Sequence, residues 1–168
     1  LEIAPTNEML KIALKNKPNY ICIVPEKRKE ITTEGGLNLK KNIKNLKKII
    51  STLKSNDIRV SLFIEPSISD IKLAKEIKSD CVELHTGKYC KSFFNKDKLK
   101  SSYADIKKSV SYAKKLGLEV HAGHGLTYKS AHKIAKIKGI SELNIGHFII
   151  SEAIFVGITN SIRRFKKI

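Results

Sequence analysis

The run His121-Ala122-Gly123-His124-Gly125-Leu126-Thr127-Tyr128 closes a short apolar stretch with two histidines and two glycines, immediately before residues with helical spacing. Imidazole titrates near neutral pH, so a histidine in this place can give and take protons. Glycines beside it let the backbone approach a ligand closely. Leu143-Asn144-Ile145-Gly146-His147 repeats the arrangement, and two such sites in succession point to one shared pocket. Carboxylates recur in comparable places at Glu2, Glu26, Glu65 and Glu83. His85 follows Glu83 at the two-residue spacing that puts both on one strand face, with Val82 and Leu84 on the other. Carboxylates and imidazoles gathered at strand ends are the equipment of general acid/base chemistry.

The elements that must carry these residues can be read from the apolar pattern. Runs rich in β-branched residues occur at 20–24, 58–64, 81–84, 118–120 and 143–145, each followed by residues with helical periodicity. Leu39, Ile43, Leu46, Ile50 and Leu53 recur at three and four, as do Ile106, Ser109, Val110 and Ala113 ahead of a stop at Gly117. Ile134 and Ile137, and then Ile154, Ile158 and Ile162, form two further stripes. The opening Leu1-Glu2-Ile3-Ala4, a Thr6 cap and the stripe Met9, Leu10, Ala13, Leu14 add one more unit. Six strand-then-helix units imply an α/β fold with parallel pairing through right-handed crossovers. Neither a Gly-x-Gly-x-x-Gly nor a Walker loop supports a nucleotide-binding open sheet. Polar residues at many strand ends favour a (β/α) barrel.

At 168 residues and 41% hydrophobic, the chain has material for one core, so residues 1–168 are expected to form a single domain. No apolar run is long enough for a membrane span, and the first residues lack the pattern of an export signal, so a cytoplasmic location and no membrane partner are expected. The net charge of +17 invites a nucleic-acid reading. The distribution argues against it: only Arg28, Arg59, Arg163 and Arg164 are arginines, and the lysines spread over every helix instead of forming a stripe with interleaved aromatics. Cys22, Cys81 and Cys90 show no Cys-x-x-Cys spacing and read as buried free thiols. A metal-dependent hydrolase using His85, His121, His124 and His147 with Glu83 is a rival reading. His121 and His124 lack the spacing that would turn both inward, and no metal is expected. His121 is assigned to strand packing, and His132, Glu152 and the Arg163-Arg164 pair to helix surfaces.

Taken in order, five segments resemble the pyridoxine 5'-phosphate synthase family of vitamin B6 biosynthesis: Val24-Pro25-Glu26-Lys27-Arg28 with Thr32-Thr33-Glu34-Gly35-Gly36, Val60-Ser61-Leu62-Phe63-Ile64, Glu83-Leu84-His85-Thr86-Gly87, Ala122 to Tyr128, and Glu142 to His147. The resemblance implies an eight-stranded (β/α) TIM barrel that forms homo-octamers. It also implies condensation of 3-amino-2-oxopropyl phosphate with 1-deoxy-D-xylulose 5-phosphate, giving pyridoxine 5'-phosphate, phosphate and water, with no cofactor. This chain corresponds to strands three to eight of that barrel and their helices. It therefore reads as a fragment lacking two βα units, whose substrate-binding and catalytic residues have no counterpart here.

The resemblance assigns roles residue by residue. Glu2 falls at the position of a proton acceptor, His124 at that of a proton donor, and Glu83 at that of the residue stabilising a charged transition state. Gly125, Gly146 and His147 match contacts to the amino-ketone phosphate, consistent with the anion sites that barrels keep after their last strands. Thr32 matches a contact to the deoxyxylulose phosphate, and the loop 26–36 around it suits a lid. Against the active enzyme stands the alternative of an inactive, truncated remnant.

Overall fold

The computed structural model describes residues 1–25 and 35–168. Thr32, Glu26 and most of the expected lid therefore lie outside the described residues. Six strands alternate with helices: β1 (Glu2–Ile3), α1 (Asn7–Asn16), β2 (Tyr20–Ile23), α2 (Leu39–Lys54), β3 (Arg59–Ile64), α3 (Ile68–Glu76), β4 (Cys81–His85), α4 (Gly87–Lys91), α5 (Lys96–Lys115), β5 (Glu119–Gly123), α6 (Tyr128–Ala135), β6 (Ile140–Asn144), α7 (His147–Val156) and α8 (Ile158–Phe165).

Short polar side chains fix where the helices begin. Thr6 accepts from the Met9 amide, Asn38 from Lys41, Ser67 from Asp70 and Asn95 from Lys98. Thr127 and Ser130 form a reciprocal capping box that starts α6 directly behind the His124-Gly125 turn. The stripe expected in α2 is buried at Leu39, Leu46, Ile50 and Leu53, and the one in α5 is buried at all four expected positions.

All strand pairs are parallel, and the sheet order is β1-β2-β3-β4-β5-β6. A doubly wound sheet would reverse its order at a switch point, whereas strands added strictly in sequence build a barrel wall. The two faces of this wall differ in chemistry. Ile3, Ile21, Ile23, Val60, Leu62, Ile64, Val82, Leu84, Val120 and Ala122 turn outward into the apolar core with the helices. The alternate positions, among them Cys22, Ser61, Phe63, Cys81, Glu83, His85 and His121, turn to the inner face. Glu83 and His85 thus share a face and Val82 and Leu84 the other, as alternation requires.

Two expectations need correction. The stripe Ile154, Ile158 and Ile162 is not one helix face against the core. Gly157, at φ 78°, ends α7 and starts α8 in another direction, and the three isoleucines are 79%, 47% and 40% exposed. The cysteines are free, but only Cys81 is fully buried, and Cys22 and Cys90 are half-buried. The helix-surface charges fare better: His132 is exposed, and Arg164 pairs with Glu152 at 2.8 Å, tying α8 to α7.

Candidate active site

A cavity of about 850 Å³ opens at the carboxyl ends of the strands, and Glu2, Glu83, His124, Gly125, Gly146 and His147 all line it. Six of the seven residues singled out from the sequence are therefore brought together. They come from β1, β4, the turn after β5 and the start of α7. Phe63, Asn144 and Thr127 complete the part of the wall that matters below.

Glu83 is the buried acid of this cavity, only 4% exposed. Asn144 Nδ2 donates to its Oε2 at 2.7 Å and the Cys22 thiol donates to the same oxygen at 3.5 Å. Burial raises the Glu83 pKa above the ordinary 4.5, while these two donors pull it back down and the Glu2 carboxylate across the cavity raises it. The same burial, with Glu83 nearby, pushes the Cys22 thiol up, so it stays protonated as a donor. Between Glu83 and Asn144 lies β5, and Gly123 is what lets them meet. A Cβ there would collide with Glu83 Oε1 and come within 3.0 Å of the Asn144 carbonyl.

His124 is held by its backbone. It adopts φ 80°, a conformation few non-glycine residues take, and Thr86 Oγ1 donates to its carbonyl at 2.6 Å and to that of Gly123 at 2.8 Å. Gly146 caps α7 and His147 is its first residue, so free amides of a helix start face the cavity beside an imidazole.

The four histidines of the metal-hydrolase reading do not form one group. His85 turns to Glu65, with Nδ1 2.8 Å from Oε1, and His121 turns toward the other end of the strands, with Nε2 3.0 Å from Glu119. Among the described residues, the one metal-compatible trio is Cys81, Glu119 and His121, with ligand atoms within 4.8 Å of one another. The Arg59 guanidinium already supplies a cation there, 2.5 Å from Glu119 Oε2 and 3.5 Å from Cys81 Sγ. His121 is thus more than strand packing: it belongs to a partly buried polar cluster on the inner face, with Glu119 and Arg59 at its solvent side.

Sequence reasoning missed Asn144, Cys22 and the Glu65–His85 pair as partners of the site. Asn144 carried a signal, since it lies in the strand-end run that contains Gly146 and His147. Cys22 carried none beyond strand alternation, because the residue it meets is 61 positions away.

An open (β/α)-barrel wall with acid/base residues at the carboxyl ends of its strands is the framework of a barrel enzyme. The comparisons with known proteins agree in fold and are more specific in sequence. The family model described as "Pyridoxal phosphate biosynthesis protein PdxJ" matches residues 1–168, and the chain belongs to that family. It is 55% identical over 168 residues to the pyridoxine 5'-phosphate synthase of Pelagibacter ubique, covering 100% of this chain and 70% of that protein. It is 49% identical over 166 residues to the synthase of Zymomonas mobilis, covering 99% of this chain and 64% of the relative. The YdjI aldolase of Escherichia coli superposes with a TM-score of 0.57 at 12% identity, over 95% of this chain and 60% of its own. A xylose isomerase domain protein from Planctomyces limnophilus gives 0.57 at 11%, over 99% and 69%. These two likenesses speak to the fold alone. No helix among the described residues is long and apolar enough to cross a membrane.

Proposed function

We propose that this chain carries the strand-three-to-eight part of a pyridoxine 5'-phosphate synthase active site, condensing 3-amino-2-oxopropyl phosphate with 1-deoxy-D-xylulose 5-phosphate. The observation that carries this reading is the convergence of Glu2, Glu83, His124, Gly125, Gly146 and His147 on one cavity. Family membership supplies the substrate class. Glu2, more exposed than Glu83, is the proton acceptor; His124 is the proton donor. Glu83, fixed by Asn144 and Cys22, faces the positive charge that develops during condensation. The α7 start at Gly146-His147, with Gly125 opposite, holds the phosphate of the amino ketone. Thr32 takes the second phosphate in the same reading. Location in the cytoplasm and assembly into homo-oligomers belong to this reading too.

The chain spans 70% and 64% of the lengths of the two synthases described above. Among the described residues, the sheet runs from β1 at one edge to β6 at the other. The test is product formation by the purified 168-residue chain from the two phosphate substrates, with and without a separately supplied peptide carrying the first two βα units of a complete synthase. Product in either arm supports the reading, and product only with the peptide assigns the remaining groups to those units. A folded chain silent in both arms supports the inactive remnant.

A further inference from the structure

Behind the cavity lies a second pair of titratable groups that the reaction scheme does not use. His85 is 5% exposed, and its Nδ1 sits 2.8 Å from Glu65 Oε1. Glu65 is the hub of this corner: Oε1 also accepts the Gly36 amide at 3.1 Å, and Lys88 Nζ stands 3.2 Å from Oε2. The imidazole and the Gly36 amide, both on Oε1, orient the carboxylate, while the Lys88 side chain is largely exposed and adds only charge. The other nitrogen of His85, Nε2, is buried with no hydrogen-bond partner among the described residues. Buried polar atoms are seldom left unpaired, so one that is calls for an explanation.

The ring next to it is that of His124. The two centroids are 4.8 Å apart at 56°, and Phe63 packs on both, 5.2 Å from His85 and 6.4 Å from His124. Gly87 keeps the space between them clear, since a Cβ at that position would stand 2.6 Å from His85 Nε2 and 3.1 Å from His124 Cδ2. The residues between the two features, Thr86 and Gly87, are those whose hydroxyl clamps the His124 backbone and whose missing side chain admits its ring. The turn from β4 into α4 is thus shaped around His124 on both sides.

We infer that His85, oriented by Glu65, is a positioning residue for His124, setting both the place of its ring and the ease with which that ring takes and gives its proton. The inference rests on the reading of His124 as the proton donor and extends it to a pair 20 residues apart in sequence. Among the described residues, the titratable groups next to His124 include His85, whose ring packs on its own, and Cys90 from α4, whose thiol lies 3.8 Å from the His124 carbonyl; Glu65 and Lys88 stand one contact further out, behind His85. Glu83, Glu2 and His147 share its cavity.

The test has two readouts, one independent of turnover. Imidazole resonances of the histidines are followed by NMR against pH in the unaltered chain, in Glu65→Gln and in His85→Phe, which keeps a ring in the same space. The expected result is a His124 titration curve in the unaltered chain that carries the inflection of His85, and a midpoint moved by about half a unit or more in each variant. A single His124 inflection with the same midpoint in all three proteins overturns the inference. The measurement on the unaltered chain decides the matter even where a variant fails to fold. In whichever arm of the product assay is active, both variants should lower kcat about tenfold or more and leave KM for the two phosphates within about twofold. Loss through KM alone also overturns it. Silence of the assay with coupled titrations would count against the proposed function and leave the His85–His124 relationship standing.

Discussion

Asn144 and Glu83 are joined by a 2.7 Å hydrogen bond that spans the intervening strand β5. The amide is the shorter of two donors holding a carboxylate that burial would otherwise drive toward its neutral form. Asn144→Ala removes it and leaves, among the described residues, the thiol of Cys22 as the donor to Glu83. A hydrogen bond to a charged group is worth about 1.5–3 kcal/mol, so the Glu83 pKa should rise further above its ordinary value. Carboxyl-stretch infrared difference spectra against pH, with Glu83→Gln to assign the band, check this. An unmoved band would mean that Asn144 does not stabilise the charged form.

Gly123 is the condition for that bond. Any side chain there displaces the Glu83 carboxylate, which must swing away from Asn144, and presses within 3.0 Å of the Asn144 carbonyl, which the β5–β6 ladder holds in place. Gly123→Ala should destabilise the chain by about 1–3 kcal/mol, the usual range for overpacking, and should abolish product formation wherever the unaltered chain forms it. Denaturant unfolding and the product assay together check both halves.

Acid should weaken the fold through two carboxylates. Glu65, held first by His85, and Glu119, held first by His121 and then Arg59, both have pKa values lowered from 4.5 to about 2. A group whose folded pKa is depressed contributes stability above its unfolded value and loses it as pH falls through the folded one. The loss should therefore run from about pH 4.5 down to about 2. Both carboxylates are about a third exposed, so solvent screening keeps each contribution modest. Glu65→Gln and Glu119→Gln should each flatten the slope of unfolding free energy against pH in that window.

The three cysteines should be slow to react in the native state. Burial pushes Cys81 to about 12 and raises Cys22 and Cys90, so little thiolate is present near pH 8. Titration with a chromogenic disulfide should find all three thiols promptly in denaturant and only slowly before it. Fast native labelling of Cys22 would contradict its place as a donor to Glu83.

Much of this arrangement was legible beforehand because two periodicities carry it. Alternation in β4 put Glu83 and His85 inward, and the three-and-four spacing in α2 and α5 marked the buried faces. The strand-end glycines and histidines marked the cavity because chemistry and backbone approach demand the same residues. Contacts between distant strands were not legible. Nothing local to Cys22 announces Glu83, and nothing local to Glu65 announces His85, because each pairing depends on sheet register and on which glycine leaves room. The break at Gly157 was missed for a different reason: Ile154, Ile158 and Ile162 keep a perfect four-residue spacing across it, and spacing alone is blind to a change of helix axis.

The division of the sheet into an apolar outer face and a polar inner one lets the protein separate durability from chemistry. Side chains that grip the helices, such as Leu62 and Val120, lie outside the cavity lining, whereas Phe63 and Glu83, their neighbours on the other face, form part of it. Natural variation or a designer can therefore rewrite the inner row to suit another small molecule while the outer row continues to fold the chain, provided the few glycines that let inner residues touch across a strand are left alone.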